Sequence, residues 1–159
     1  MNIRIETATK NNAADVERLL ESAKLPTAGV RGCIDSTVVA LANGRIIGSA
    51  ALEIYASGVL LRSVAVEDAW RGQGIGEQLT GAALSLARRQ GVTVAFLLTT
   101  TAAGFFPRFG FKAIDRDEVP DDVRQSVEFT SACPSTATVM RAHLGPTLGT
   151  RSLEENEKP

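Results

Sequence analysis

The segment with the most chemical potential is AWRGQGIGEQL, residues 69–79, which places three glycines within five positions. An apolar run, VLLRSVAV, precedes it and a helical pattern follows, so the order is strand, tight loop, helix. A phosphate group needs backbone N–H donors around a concavity and the positive end of a helix dipole behind them. Gly72, Gly74 and Gly76 let an anion approach the backbone, and Arg71 adds a charge. The segment predicts a phosphate site.

The glycine spacing separates this loop from two other phosphate motifs. No Gly-Lys-Ser/Thr follows, as a Walker A loop requires, and the pattern is Gly-x-Gly-x-Gly, not the dinucleotide pattern G-x-G-x-x-G. A tight loop with only a structural role is the plain alternative.

Composition excludes several classes of partner. The chain has 159 residues, of which 44% are hydrophobic and 22% charged, and its formal net charge is −1. A nearly neutral chain has no bulk attraction for nucleic acid or anionic membranes, and no apolar run approaches the roughly 20 residues of a membrane span. The polar start, MNIRIETATKNN, lacks the apolar core of a signal peptide. We therefore expect a cytoplasmic protein.

The two cysteines, Cys33 and Cys133, lie far apart, and His143 is the single histidine. This spacing fits neither a zinc site nor a disulfide framework. We expect reduced thiols and no metal.

Hydrophobic periodicity predicts an α+β domain. Asn43-Gly44 is the dipeptide that a type I′ hairpin turn favours, so the strands around it and the next one form an antiparallel meander. From Gly145 onward apolar content is low, which predicts one domain over residues 1–144 and a disordered tail over 145–159. Strands are predicted at 2–6, on both sides of Asn43-Gly44, at 59–66, within 92–100, at 112–115 and at 137–144. Helices are predicted within 11–26, at 75–90 and at 102–109, with a short helix or loop at 27–35 and at 120–126.

The residues of the glycine loop resemble the acetyl-CoA segment of the GNAT N-acetyltransferases. Arg71-Gly72-Gln73-Gly74-Ile75-Gly76 fits that family's R/Q-x-x-G-x-G/A motif, and the order of elements fits over about residues 3–144. FFPRFGF is similar to the family's later helix-to-strand segment. LRSVAV and EFTSACPSTATVM narrow the resemblance further. They make the chain similar to short amino-acid acetyltransferases of the N-acetylglutamate synthase type and the arsenic-resistance group.

The resemblance implies a mixed sheet, flanked by helices, whose fourth and fifth strands splay apart to hold the pantetheine arm of acetyl-CoA. It assigns the backbone of Val64, Ala65 and Val66 to the pantetheine, and residues 71–76 to the pyrophosphate. The Val64 N–H would hold the thioester oxygen, an effect on the order of 3 kcal/mol for one well-placed donor. The implied activity is transfer of an acetyl group to the amine of a small, amino-acid-like acceptor, and a homodimer is common in the family.

The attacking amine must be neutral, and a carboxylate could take its proton directly or through a water. Glu53 is the first candidate for this base and Glu67 the second, with a solvated surface acid as the alternative for each. Phe106 stands where many family members have a tyrosine acid, so another group or a water must protonate the leaving thiolate. The only tyrosine is Tyr55, and nothing in the sequence places it near the thioester.

An amino-acid-like acceptor needs a cation for its carboxylate, and arginine offers a bidentate fork. Arg62 lies two residues before Val64 in an apolar strand, which predicts that both share a face. Glu53 is predicted at the acceptor site too, and it is also the internal acid with which Arg62 could simply pair. By resemblance, Cys133 and Ser135 join this site, with a small buried side chain as the alternative for Cys133.

Two other functions stay open from the sequence. A chain of this fold without the tyrosine could bind acetyl-CoA as a non-catalytic sensor. A phosphate-binding protein outside the family is the more distant alternative.

Overall fold

A computed structural model describes residues 2–132 and 135–145. Within these residues the chain forms one seven-stranded sheet in the order β1-β2-β3-β4-β5-β7-β6. The strands are β1 (Ile3–Thr7), β2 (Thr37–Ala42), β3 (Arg45–Tyr55), β4 (Gly58–Val66), β5 (Val94–Thr99), β6 (Lys112–Ile114) and β7 (Thr138–His143). The α-helices are α1 (Ala13–Ser22), α2 (Ile75–Arg89) and α3 (Asp121–Arg124).

The predicted meander is confirmed. β2, β3 and β4 pair antiparallel in sequence order. Asn43 and Gly44 both adopt positive φ, at 54° and 79°, as the type I′ turn requires. The chain then crosses over through α2, and β5 pairs parallel to β4. The predicted α+β class, with a parallel pair in a mixed sheet flanked by helices, is therefore confirmed.

The helices cover opposite faces of the sheet. Successive residues of β4 face opposite sides of the sheet. Val59 and Leu61 belong to the core cluster under α2, whereas Leu60 belongs to a cluster with α3. Leu19 and Leu20 of α1 belong to a third cluster, on the face away from α2. The sheet is thus buried on both sides, which accounts for the nearly continuous apolar runs in its central strands.

A bulge in β4 sets the geometry of the site. Ser49 pairs with Ala65 and Ala51 pairs with Arg62, so two residues of β4 stand opposite one of β3. The extra residue is accommodated at Ser63, whose φ is 59°. The Ser49 hydroxyl donates to the Ser63 carbonyl at 2.7 Å and fixes the kink.

The bulge also reverses the alternation of side chains along β4. Before it, Leu61 faces α2, and after it Val64 and Val66 do so. Arg62 and Val64 therefore lie on opposite faces, and the prediction that they share one is wrong. Pairing between β4 and β5 is confined to Val59 and Leu60, so the two strands separate beyond that point.

Most predicted elements lie within a few residues of the observed ones, with one clear exception. The predicted helix at 102–109 is a 3-10 turn at Phe106–Phe109. Pro107 explains the difference, because a proline this far into an α-helix lacks the N–H and clashes with the preceding turn. The predicted tail over 145–159 lies outside the described residues except for Gly145.

We predict opposite effects on stability from two glycine-to-alanine changes. A Cβ on Gly48 would lie 2.7 Å from Leu79 Cδ1 and 3.1 Å from the Ala65 carbonyl, where β3 packs under α2. G48A should lower the free energy of unfolding by about 1–3 kcal/mol through overpacking. Gly81, inside α2, has open space around its Cβ position, so G81A should raise it by about 0.5–1 kcal/mol. Urea unfolding measures both, and a G48A protein as stable as wild type would contradict this packing.

Candidate active site

The separation of β4 and β5 opens a cleft of about 990 Å³. Its floor is β4 over residues 61–66, and the glycine loop lines one end over residues 70–72 and 74–77. The opposite wall comes from the end of β5 and the aromatic turn after it, residues 97–102, Phe105, Phe106 and Arg108. Residues 23–26 and Glu128 close the remaining side.

The predicted order of strand, glycine loop and helix is confirmed, with the loop between β4 and α2. Gly72 and Gly74 adopt φ of 82° and 81°, and Gly74 is the N-cap of α2. The first backbone N–H groups of this 15-residue helix therefore stand at the cleft, where the helix dipole is positive. Arg71 donates through Nε to the Val66 carbonyl at 3.0 Å and pairs with Asp68 at 3.0 Å. Gln73, also predicted to bind the cofactor, is exposed and does not line the cleft.

The three strand residues predicted to hold the pantetheine, Val64, Ala65 and Val66, all line the cleft. They follow the bulge at Ser63, on the part of β4 that no longer pairs with β5. An unpaired strand edge is the surface to which an extended ligand can add as a further strand.

Arg62 is the centre of a buried polar cluster, which we call the Arg62 cluster: Glu53, Tyr55, Arg62, Ser63, Ser126 and Glu128. No part of the Arg62 side chain is exposed. Its Nη1 donates to Glu53 Oε2 at 2.8 Å, its Nε to Ser63 Oγ at 3.0 Å, and its Nη2 lies 3.4 Å from Glu128 Oε2. Glu53, the internal partner that the sequence left open, is therefore bound to Arg62, and a ligand would meet a guanidinium that already has two carboxylate partners.

Glu53 is held as an anion inside this cluster. Burial alone would raise its pKa, but hydrogen bonds from Ser126, Tyr55 and Arg62 outweigh burial and lower the pKa below its usual range. The Tyr55 hydroxyl donates to Glu53 Oε1 at 2.6 Å, and burial together with this bond raises the Tyr55 pKa to about 12. A carboxylate with a lowered pKa is a weak base, and Glu53 does not line the cleft. Its predicted role as the base would need a relay.

Glu128 is the site residue that sequence reasoning missed. It begins the π-helical turn Glu128–Ala132, is 5% exposed, and lines the cleft beside Arg62. Its backbone N–H donates to Ser126 Oγ at 3.1 Å, which ties it to the Arg62 cluster. An acid in the otherwise uncharged segment VEFTSA was the available signal, since a buried charge there requires a partner.

Gly29 makes room for the guanidinium from the other side. It adopts φ of 84°, and a Cβ there would lie 2.9 Å from Arg62 Nη1. Only glycine satisfies both the backbone conformation and this close approach.

The aromatic wall of the cleft has no hydroxyl at the position where the family has its tyrosine. Phe106 is buried and packs edge-on against Phe105 and Phe111, with ring centroids 5.0 and 5.9 Å away. Arg108 stacks over Phe105 at 4.6 Å. Proton donation to the leaving thiolate must come from elsewhere.

The remaining predicted residues lie apart from the cleft or outside the described chain. Glu67, the second candidate base, makes a bidentate pair with Arg45 at 2.6 and 2.9 Å on the surface. Ser135 is exposed and does not line the cleft, and Cys133 lies outside the described residues. Over residues 2–132 and 135–145, no group of three or more His, Cys, Asp and Glu is placed to bind a metal ion. No helix in that part of the chain is long and apolar enough to cross a bilayer.

Comparison with known proteins assigns the family. The acetyltransferase (GNAT) domain family matches residues 34–113, half of the chain. A curated relative, an uncharacterized N-acetyltransferase of Chlorobaculum tepidum, is 35% identical over 81 residues, which are 50% of this chain and 52% of that protein. The chain belongs to the GNAT acetyltransferase family.

Solved structures share the fold at low sequence identity. The N-acetylglutamate synthase of Neisseria gonorrhoeae, complexed with coenzyme A and N-acetyl-glutamate, has a TM-score of 0.78 and 21% identity, covering 91% of this chain and 36% of the synthase. Rv2747 of Mycobacterium tuberculosis, in complex with CoA and NLQ, has a TM-score of 0.76 and 22% identity over 89% and 99% of the two chains. GCN5 of Tetrahymena has a TM-score of 0.68 and 16% identity over 92% and 98%. This chain spans about half of the curated relative and about a third of the synthase.

The buried ion pair predicts an acid-sensitive stability. Because the Glu53 pKa is lowered by folding, the carboxylate stabilises the native state above its unfolded pKa of about 4.3, and this contribution is lost as the pH falls through the folded value. E53Q should cost about 3–5 kcal/mol at pH 7, since it leaves a buried guanidinium short of a partner.

Urea unfolding of E53Q and wild type between pH 7 and pH 3 checks this. The stability gap should be widest at neutral pH and narrow below about pH 4.3. E67Q, which breaks the exposed pair with Arg45, is the matched control and should cost much less. A gap of constant size from pH 7 to pH 3 would contradict the ionised, buried Glu53.

Proposed function

We propose that this protein transfers the acetyl group of acetyl-CoA to the amine of a small acceptor. The observation that carries the proposal is the joining of two features in one cleft: a glycine loop at a helix N-terminus, and a strand edge freed by a bulge. The first suits the pyrophosphate of acetyl-CoA and the second its pantetheine arm. Membership of the GNAT family and the coenzyme A complexes of two structural neighbours support the same cofactor.

Catalysis in this proposal is mainly positioning. The Val64 N–H, directly after the bulge, is proposed to hold the thioester oxygen and to stabilise the oxyanion as the amine attacks. Since Phe106 has no acidic proton, a water is proposed to protonate the leaving thiolate. Glu53 keeps its proposed part in catalysis only indirectly, by holding Arg62 in place.

An amino acid or an analogue of one is the proposed acceptor, including the arsenic-bearing analogues that the sequence resemblance suggests. The N-acetyl-glutamate with which the gonococcal synthase is complexed supports this class. Arg62 stays the proposed partner of the acceptor's carboxylate, although its guanidinium is covered in the structure, so Glu128 would have to release it. The cytoplasmic location, the homodimer, and the acceptor roles of Ser135 and Cys133 stay predictions.

A non-catalytic acetyl-CoA sensor is the second candidate. One observation favours it, namely the phenylalanine at the position of the family's tyrosine acid. Acetyl transfer to an amine would distinguish the enzyme from the sensor.

A pair of valine substitutions tests the cofactor site. Gly74 and Gly91 flank α2, adopt nearly equal φ of 81° and 82°, and have open space at their Cβ positions. Valine at either should cost about 1–3 kcal/mol of backbone strain. Only Gly74 lines the cleft, so only G74V should weaken acetyl-CoA binding, by about tenfold or more, or 1.4 kcal/mol. Calorimetry on both folded variants measures this, and equal affinities would refute the pyrophosphate assignment.

An acceptor panel tests turnover. Coenzyme A release is followed with glutamate, glutamine, alanine and an arsenic-bearing amino-acid analogue, beside amines without a carboxylate such as ethanolamine and spermidine. Free amino acids should be acetylated best, and R62M should raise their KM about tenfold or more, with acetyl-CoA binding retained. Binding without turnover on any amine would establish the sensor, and a preference for amines without a carboxylate would remove the carboxylate role of Arg62.

A further inference from the structure

We propose that Glu128 binds the protonated amine of the acceptor beside the thioester, where the amine gives its extra proton to a water before it attacks, because only a neutral amine is nucleophilic. This inference rests on the proposed function and names the residue that selects the reacting group. It is carried by the placement of Glu128, its charge and its contrast with Glu53.

Glu128 lies beside the part of β4 that precedes the bulge, whereas the glycine loop adjoins the part that follows it. Val66 adjoins that loop, because its carbonyl accepts from Arg71. Arg62 is four residues back along β4, no more than about 13 Å at the rise of a strand, and Glu128 stands beside it at 3.4 Å. If the pyrophosphate lies on the loop and the pantetheine runs along β4, the thioester end of the ligand points towards Glu128.

Charged side chains of both signs line the cleft, and the basic ones among the described residues are Lys24, Arg62, Arg71 and Arg108. The acidic ones are Glu77, on the glycine-loop side, and Glu128. The Arg62 cluster combines one guanidinium with two carboxylates, so it does not supply excess positive charge. An alkylamine is protonated at neutral pH, and its transfer from water into the cleft needs a counter-charge. Glu128 provides that charge on the cleft surface.

Glu53 and Glu128 make the same kind of contact with Arg62 but differ towards the cleft. Glu53 contacts the guanidinium at 2.8 Å and accepts from Tyr55, but it does not line the cleft. Glu128 contacts it at 3.4 Å and does line the cleft. The pair therefore separates the two roles: Glu53 serves the internal ion pair, and Glu128 serves both Arg62 and the ligand.

The test measures kcat and KM for the best amine of the panel, with E128Q, E128D and E53Q beside wild type. E128Q should raise the KM for the amine about tenfold or more, with the KM for acetyl-CoA within about twofold of wild type. E128D keeps the charge and should have a KM for the amine close to that of wild type, and the comparison with E53Q separates binding of the amine from support of Arg62. E118Q, which removes an exposed partner of Arg141, is the surface control.

The outcomes separate this inference from the function on which it rests. If wild type acetylates no amine, the proposed function fails and the role of Glu128 fails with it. If wild type is active and E128Q keeps the wild-type KM for the amine, the inference alone is overturned. It is also overturned if E53Q raises the amine KM as much as E128Q does, since Glu128 would then act only by holding Arg62. If E128Q does not fold, the KM of E128D for the amine is the test. A KM close to that of wild type supports the binding of the amine by Glu128, and a tenfold rise overturns it.

Discussion

The site depends on one extra residue in β4. The bulge at Ser63 turns the strand away from β5, so that two strands that begin as a parallel pair end as the two sides of a cleft. The same residue reverses the alternation of side chains, which places Val64 and Val66 under α2 and leaves Arg62 on the other face. A sheet without it would continue its ladder and have no edge to offer a ligand.

The bulge is tied to the Arg62 cluster, because Ser63 of the bulge accepts a hydrogen bond from this buried, charged side chain. A buried guanidinium is costly unless its donors are satisfied. Here the donors meet Ser63 of the bulge itself, Glu53 of the neighbouring strand and Glu128 of the π-helical turn. These partners come from three parts of the chain, so the cluster fixes the bulge, the sheet and the far wall of the cleft relative to one another. Stability and the shape of the site are therefore coupled.

Sequence predicted the features whose cause is local. Asn43-Gly44 and the glycines at 72 and 74 require positive φ, and the structure has it at each. The residue pattern does not show the bulge, because LLRSVAV reads as an uninterrupted strand and serine does not signal a positive φ. Only the family resemblance implied that the fourth strand bends at a bulge, without indicating the residue. The error over Arg62 follows directly, since facing was inferred by counting residues. Glu128 was missed for a different reason: it reaches the cleft from a segment more than 60 residues further along the chain than β4. Periodicity carries no information about such a contact, and only the single charge in an otherwise uncharged segment pointed to it.

The finished cleft has different groups at its two ends. At one end stand the N-terminus of α2 and Arg71, which favour anions, together with Glu77. At the other stands a carboxylate, Glu128, with Arg62 and Glu53 behind it. Between them run a bare strand edge and the apolar wall of Phe105 and Phe106, which suit a long, uncharged chain. A ligand pair with phosphates at one end, an uncharged arm in the middle and a cationic amine at the other end matches this order of charges. Phe106 contributes no proton to the reaction. Such a site would therefore act through the charged groups that orient the ligands along the cleft and through the backbone N–H donors at the bulge.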